Sequence, residues 1–280
     1  MRLGIFAKTF AGASPDAVLG AAAAAGYTTV QYNMACSGLA AMPDNLPLED
    51  AAAVAQAAQA HGVSIAAVSG TYNMIHPDKS VRARGLARLD VLASRCQTMP
   101  TAMITLCTGT RDPADQWRGH PDNASAEAWR DLLAEMAAAL AIAERWDIGL
   151  GIEPELANVV NSAAAADQLI RELKSPRLKV VLDPANLFEH ATLGEQHRLV
   201  SAAIDLLADR IAMGHAKDRA ADGAVVAAGT GVVDFRHYLR SLKAAGFEGP
   251  LITHGLAAGE APGVAAFLRE AAGAAAVALW

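Results

Sequence analysis

The chain has 280 residues, of which 53% are hydrophobic, and a formal net charge of −6 at pH 7. This length is enough for an eightfold α/β barrel, which needs roughly 250 residues. The acidic balance and the lack of a lysine or arginine block disfavour a nucleic-acid partner. Much of the apolar content is alanine, and no run approaches the roughly 20 strongly apolar residues that cross a bilayer, so no membrane partner is expected either.

Short β-rich runs alternate with Ala/Leu-rich helical stretches along the chain. Strands are predicted at Leu3–Ala7, Thr29–Tyr32, Ser64–Val68, Ala102–Cys107, Gly149–Glu153, Lys179–Asp183, Ile211–His215 and Leu251–His254. Helices are predicted near residues 14–25, 47–61, 79–97, 125–146, 161–174, 194–209, 234–245 and 260–277. This alternation indicates parallel βαβ units, and eight of them predict a single (β/α)8 TIM barrel domain over residues 1–280. An open doubly wound sheet is the alternative, but its dinucleotide-binding version lacks a G-x-G-x-x-G after the first strand.

The connections differ in length at the two ends of the predicted strands. Helix-to-strand turns are short, whereas strand-to-helix loops are long, at 33–46, 69–78, 108–124, 184–193 and 216–233. Barrel enzymes carry their active sites on the strand-to-helix face, and long loops in compact domains are more often functional. We therefore expect the site on that face.

Cysteine usage indicates a reducing compartment. Cys36, Cys96 and Cys107 are odd in number and lack metal-type spacing. We expect three buried, reduced thiols in a cytoplasmic protein. The sequence is compatible with a monomer or a homo-oligomer.

Four strand-like segments in the second half of the chain each end in a side chain that can bind a metal. They are Glu153 in G-I-E-P-E, Asp183 in V-V-L-D-P-A-N, His215 in M-G-H-A-K-D and His254 in L-I-T-H-G. Packing alone does not explain apolar runs that repeatedly end in a carboxylate or an imidazole. Because imidazole favours transition metals over Ca²⁺, the set predicts one divalent cation, with Mn²⁺, Co²⁺, Zn²⁺, Fe²⁺ or Mg²⁺ as candidates.

These segments, with G-T-G-V-V-D-F and G-F-E-G-P-L-I-T-H further on, resemble the xylose-isomerase-like TIM barrels. That superfamily includes sugar and sugar-phosphate isomerases and epimerases, inosose dehydratases and endonuclease-IV-type enzymes. The resemblance implies that Glu153, Asp183 and His215 are metal ligands. His254 stands where the family usually has a fourth ligand glutamate, and Asn186 where it often has a histidine.

By this resemblance we expect an isomerase or epimerase of a small sugar, sugar phosphate or sugar acid that works through an enediolate. Glu153 or Glu155 could take the proton, and His254 or a water could return it. The family's epimerases use two metal-bound glutamates, and His254 stands in the position of the second. Alternatives are a dehydratase that uses the same metal and a non-catalytic relative. An abasic-site endonuclease is disfavoured, because it needs several metals and a basic groove.

Further polar residues lie in the same set of loops and are candidate contacts for a polyhydroxy substrate. They are His76, Thr108, Arg111, Arg118, Glu155, Asn186 and Lys217, with Trp117 as a lid aromatic. Two arginines in one long loop favour an anionic substrate. Lys217 could hold an anionic group or pair with Asp218. Residues 229–231 (G-T-G) are interpreted as a plain turn, with phosphate binding through backbone amides as the alternative.

Overall fold

Eight parallel strands close into a barrel in a computed structural model that describes residues 1–280. The strands are β1 (Arg2–Phe6), β2 (Thr29–Tyr32), β3 (Ser64–Ser69), β4 (Met103–Leu106), β5 (Gly149–Ile152), β6 (Leu178–Leu182), β7 (Ile211–Ala216) and β10 (Pro250–Thr253). β10 pairs with both β1 and β7, which completes the ring. The predicted (β/α)8 TIM barrel is confirmed.

Eight helices surround the barrel. They are α1 (Pro15–Ala24), α2 (Leu48–His61), α3 (Lys79–Ala93), α4 (Ala126–Arg145), α5 (Ala163–Leu173), α6 (Leu193–Leu207), α7 (Phe235–Ala244) and α8 (Ala261–Ala274). Serine side chains cap several of them, since Ser14 accepts from the amide of Ala17 and Ser125 from that of Ala128. None of the helices combines the length and the apolar character that spanning a bilayer requires.

A short antiparallel ribbon interrupts the alternation between β7 and α7. It consists of β8 (Asp218–Arg219) and β9 (Val225–Val226). The sequence analysis did not predict this ribbon, because two-residue strands are too short to show an alternating pattern. It lies in the long loop that follows β7, on the face where the site was expected.

The core has two parts. Most buried apolar side chains form one cluster of 71 residues that includes packing between the strands and the helices. A second cluster fills the barrel interior and consists of Ala67, Met103, Val181, Met213 and Ile252. We refer to this second cluster as the plug. It gives the barrel a packed, dry interior rather than a pore.

Candidate metal centre

A layer of polar side chains lies directly above the plug. Side chains two residues apart in a strand point to the same face, so each strand that supplies a plug residue also supplies the next inward group. Three of these pairs end in a predicted ligand: Val181 and Asp183, Met213 and His215, and Ile252 and His254. The strands therefore deliver three of the four predicted ligands to the barrel mouth.

Glu153 reaches this layer from the end of β5, two residues after Gly151. A Cβ atom on Gly151 would lie 3.0 Å from Cγ2 of Val181 and 3.3 Å from Sδ of Met103. A larger side chain would press on the plug there. The glycine thus lets the plug close beneath Glu153.

Glu153, Asp183, His215 and His254 converge at the mouth of the barrel. Each offers one ligand atom, and these four atoms lie within 4.8 Å of one another. His254 Nε2 is 3.1 Å from Asp183 Oδ2, and His215 Nδ1 is 3.2 Å from Glu153 Oε1. The two imidazole rings meet edge to face, with centroids 4.5 Å apart.

Lys217 is the cation at the centre of a cluster of three carboxylates. Its Nζ atom lies 3.4 Å from Glu155 Oε1, and 3.7 Å from both Glu153 Oε1 and Asp183 Oδ2. With both histidines neutral and all three carboxylates ionised, the cluster carries two more negative charges than positive ones. A divalent cation would balance that excess.

The buried charges shift one another's pKa values. Burial and the neighbouring Glu153 raise the pKa of Glu155 to about 7, against the opposing effect of Lys217. Burial alone would raise the pKa of Glu153, but His215 and Lys217 outweigh it and hold that pKa well below its usual range. Glu153 is therefore an anion at neutral pH, and Glu155 is poised to gain or lose a proton.

The two histidines differ in their preference for a proton. Burial would lower the pKa of His215, but the carboxylate of Glu153 prevails and raises it. Burial and the adjacent His215 lower the pKa of His254. His254 is accordingly a neutral imidazole near pH 7, the form in which histidine binds metals.

These side chains fit a divalent transition metal. His215 Nδ1 is buried and has no hydrogen-bond partner of good geometry, so it is available to an ion. Ligand atoms about 2.1 Å from a common ion lie at most about 4.2 Å apart, so small movements would close the cluster on an ion. Two carboxylates and two imidazoles suit Mn²⁺, Co²⁺, Fe²⁺ or Zn²⁺ better than Ca²⁺.

Gln31 is a site residue that the sequence analysis missed. It lies in β2 and points into the barrel, where its Oε1 is 2.8 Å from His215 Nε2 and its Nε2 donates to Thr105 Oγ1 at 3.1 Å. The available signal was a glutamine within a four-residue strand whose other side chains are buried. Sequence alone could not show that its partner is His215.

A cavity of about 370 Å³ opens above the cluster, and we call it the inner cavity. Its lining includes Glu153, Glu155, His215 and His254, and Trp117 stands at its rim. Asn186 is buried beside it and donates through Nδ2 to Glu153 Oε1 at 2.8 Å. The predicted residues Glu155, Asn186 and Lys217 thus all contact the cluster.

The structure places four other predicted substrate contacts away from the inner cavity. The hydroxyl of Thr108 is fully buried and accepts from the amide of Val160. His76 is engaged by the backbone, since its Nε2 lies 3.1 Å from the carbonyl oxygen of Pro113. These two residues support loops in the structure, as side-chain hydrogen bonds to backbone often do.

The two loop arginines are both paired with carboxylates of the protein in this structure. Arg111 donates to Asp131 at 2.8 Å and to the carbonyl of Ile75. Arg118 makes a bidentate pair with Asp112, at 2.6 and 2.9 Å. Both guanidinium groups are paired within the protein, because α4 supplies Asp131 to Arg111 and the same loop supplies Asp112 to Arg118.

The G-T-G segment is a turn whose amides are already used. Asp218 Oδ2 accepts from the amides of Gly229 and Gly231, each at 3.0 Å, and Oδ1 accepts from Val233 at 2.9 Å. Asp218 thus takes the position that a phosphate would need. It pairs with backbone amides rather than with Lys217, whose partners are the cluster carboxylates.

Comparisons with known proteins agree with this architecture. A family model described as xylose isomerase-like TIM barrel matches residues 19–271. The fold is similar to that of L-ribulose 3-epimerase, with a TM-score of 0.78 and 18% identity over 98% of this chain and 95% of that one. It is also similar to 3-keto-D-glucoside 4-epimerase, YcjR, from E. coli, with a TM-score of 0.76 and 16% identity over 96% and 99% of the two chains.

A third similar structure contains a metal. It is the IOLI protein with a binding zinc atom, with a TM-score of 0.73 and 16% identity over 99% of this chain and 98% of that one. Among curated proteins, none matches this chain. At these identities the likeness establishes the fold, and the chemistry has to be argued from the side chains.

Proposed function

The chain belongs to the xylose isomerase-like TIM barrel family, and from this premise we propose that it is a divalent-metal-dependent isomerase or epimerase of a small sugar or sugar derivative. The observation that carries the proposal is the convergence of Glu153, Asp183, His215 and His254 beneath a cavity that also exposes a fifth titratable group, Glu155. Similar structures include two sugar epimerases and a protein with a zinc atom, which supports the same proposal.

The ligand roles follow from charge and geometry. Glu153 and Asp183 supply anionic oxygens, and His215 and His254 supply neutral nitrogens. When bound, the ion would polarise a substrate carbonyl and stabilise the negative charge that develops on its oxygen. Lys217 holds the carboxylates close together before the ion arrives, since its ammonium lies within 3.7 Å of three of them.

Proton transfer falls to Glu155 rather than Glu153. A base works best when its pKa is near the working pH, and the pKa of Glu155 is raised to about 7 whereas that of Glu153 is strongly lowered. Glu155 lines the inner cavity. It would take the proton from the carbon next to the carbonyl, which yields an enediolate.

The carbon and the face to which the proton returns determine the product. His254 cannot bind an ion through Nε2 and carry a proton on that same atom, so a water or Glu155 itself would return the proton in a ligand-bound state. Return to the neighbouring carbon gives an isomer, and return to the opposite face gives an epimer. Loss of a β-hydroxyl from the same enediolate gives dehydration, which is the second candidate function.

Deuterium exchange tests this proposal directly. Protein loaded with Mn²⁺ or Co²⁺ is incubated in D₂O with a panel of ketoses and inososes, and NMR follows the C–H next to the carbonyl. We expect exchange with formation of a stereoisomer or positional isomer, and a dehydrated product would support the second candidate instead. Asp183→Asn is the control, which should lose both the ion and the exchange. Metal-loaded protein that exchanges no substrate in the panel would favour a non-catalytic relative.

The cysteines support the expected cytoplasmic location. Cys36, Cys96 and Cys107 are all buried and none forms a disulfide. Burial raises the pKa of Cys107, which lines the inner cavity, to about 12. That thiol is therefore a packing group and not a nucleophile.

A further inference from the structure

A second cavity adjoins the inner cavity on the far side of Trp117. It has a volume of about 650 Å³ and lies between the loop after β3, α3 and the loop after β4. We call it the outer chamber. Ala41, Thr71, Gln116 and Trp117 line both spaces, so the two adjoin directly.

The sizes of the two spaces suit a substrate with two units. Pockets for compact ligands have volumes of roughly 300–1,000 Å³, and the inner cavity, at about 370 Å³, is at the small end. One sugar unit with its carbonyl at the cluster fills a space of that scale. A substituent on that unit would extend past Trp117 into the outer chamber, which is the larger of the two.

The charges of the outer chamber disfavour an anionic substituent. Arg88 is paired with Asp44 at 2.7 Å, and Asp112 with Arg118 at 2.6 Å. Among the remaining lining groups, Arg84 and Asp115 have no ion-pair partner and carry opposite charges. A phosphate placed there would lie near carboxylates as well as near Arg84.

The uncharged chemistry of the chamber suits a hydroxyl-rich ring. Thr71 and Gln116 offer hydrogen-bonding side chains, and Trp117 is 53% exposed. The backbone amide of Trp117 donates to Asp115 Oδ1 at 2.9 Å, which fixes the loop that carries the indole. A sugar ring presents an apolar C–H face to such an indole and hydroxyl groups to the polar wall.

We propose that the substrate is a neutral glycoside, with a carbonyl-bearing sugar unit in the inner cavity and an uncharged glycosyl unit in the outer chamber. This inference rests on the proposed function for the inner unit. A third cavity, of about 580 Å³, shares only Phe6 and Lys8 with the inner cavity. The outer chamber shares four residues with the inner cavity and so adjoins it more extensively.

Binding measurements with matched sugars test the inference. Calorimetric titration of the Mn²⁺-loaded protein compares D-fructose with three glucosyl-fructoses that keep a free carbonyl: turanose, maltulose and isomaltulose. D-fructose 6-phosphate is the anionic probe. We expect at least one disaccharide to bind with an affinity about tenfold or more above that of D-fructose. The affinity of D-fructose 6-phosphate should exceed that of D-fructose by a smaller factor.

Two variants block the outer chamber from different walls. Ala114 and Ala40 are exposed and line the outer chamber but not the inner cavity. Ala114→Trp and Ala40→Trp should each remove the advantage of the disaccharide and leave the affinity for D-fructose unchanged. Ala138→Trp, on the exposed face of α4, is the matched control and should change neither affinity.

Three results would overturn the inference: no disaccharide preference, a preference that survives both blocking variants, or tightest binding of the phosphate ester. Deuterium exchange on the same sugars separates this inference from the proposed function. A disaccharide preference without exchange would count against the isomerase and leave the two-unit site standing. Exchange on D-fructose without a disaccharide preference would support the isomerase and count against the two-unit site.

Discussion

The Nε2 atom of His215 lies 2.8 Å from Oε1 of Gln31, a residue 184 positions away in the chain. An amide oxygen only accepts hydrogen bonds, so His215 carries a hydrogen on Nε2, and Nδ1 is the nitrogen left for an ion. Nδ1 faces Glu153, 3.2 Å from its Oε1. A side chain on β2 therefore selects the tautomer of a candidate ligand on β7.

Replacing Gln31 should weaken metal binding without removing any ligand. Hydrogen-bond partners of metal-bound histidines typically contribute 10–100-fold to affinity, so we expect Gln31→Leu to bind Mn²⁺ or Zn²⁺ about tenfold more weakly by calorimetric titration. Gln31→Glu keeps an acceptor for His215 and should stay closer to the wild-type affinity. Wild-type affinity in the leucine variant would show that Gln31 does not orient His215.

His254→Glu should keep or strengthen metal binding. The new carboxylate would supply an oxygen ligand where His254 Nε2 now lies 3.1 Å from Asp183 Oδ2. Without metal it adds a like charge to a buried acidic cluster, which lowers the stability of the metal-free fold. We therefore expect Mn²⁺ to raise the Tm of this variant more than that of the wild type. Loss of metal binding in a folded variant would place His254 outside the ligand shell.

The sequence predicted the barrel well because its signals are local and repeated. The prediction for β2 (Thr29–Tyr32) matches the structure, and the prediction for α2 differs by one residue at its N-terminus. The same repetition placed Asp183 and His215 at one end of the barrel, since the carboxyl ends of parallel strands meet on one face. Periodic patterns of apolar residues carry this information without any knowledge of tertiary contacts.

The contacts among loops could not be predicted in this way. Arg111 and Arg118 resemble an anion clamp in the sequence, but Arg111 pairs with Asp131 on α4, and Arg118 pairs with Asp112 in its own loop. The role of Gln31 depends likewise on closure of the barrel, which brings β2 opposite β7. Pairings between distant segments are properties of the folded chain and leave no periodic trace.

Arg111→Met should lower stability rather than impair substrate binding. Burial alone would raise the pKa of Asp131, but Arg111 and Arg82 prevail and lower it. Removing Arg111 leaves Asp131 with the single partner Arg82, and for this partly exposed carboxylate we expect a loss of about 1–3 kcal/mol in urea unfolding at pH 7. The KM for any substrate found should be unchanged.

The contribution of the Arg111–Asp131 pair to stability should also depend on pH. A carboxyl with a lowered folded-state pKa stabilises the fold above its unfolded pKa of about 4 and loses that contribution as the pH falls through the folded value. The difference between wild type and Arg111→Met should therefore shrink in acid. Arg118→Met, whose guanidinium is largely exposed, is the comparison and should have the smaller effect. A raised KM with unchanged stability would restore Arg111 as a substrate contact.

Glu155→Gln should separate proton transfer from metal binding. The carboxylate lines the inner cavity, contacts Lys217 at 3.4 Å and is not one of the four converging ligands. Loss of a general base typically lowers the rate 10²–10⁴-fold, so deuterium exchange should fall by about that factor. Metal content by elemental analysis should stay the same, whereas Glu153→Gln should reduce both metal content and exchange.

The pH profile should identify the same group. A base must be deprotonated to act, so exchange should rise as the pH increases through the pKa of Glu155, which is raised to about 7 in the metal-free protein. A bound cation lowers the pKa of a neighbouring carboxyl, so the midpoint of the metal-loaded enzyme should lie at or below pH 7. In Glu155→Gln this rise should disappear from the residual rate. If the midpoint persists in the variant, another group is the base, and Glu155 only holds Lys217 in place.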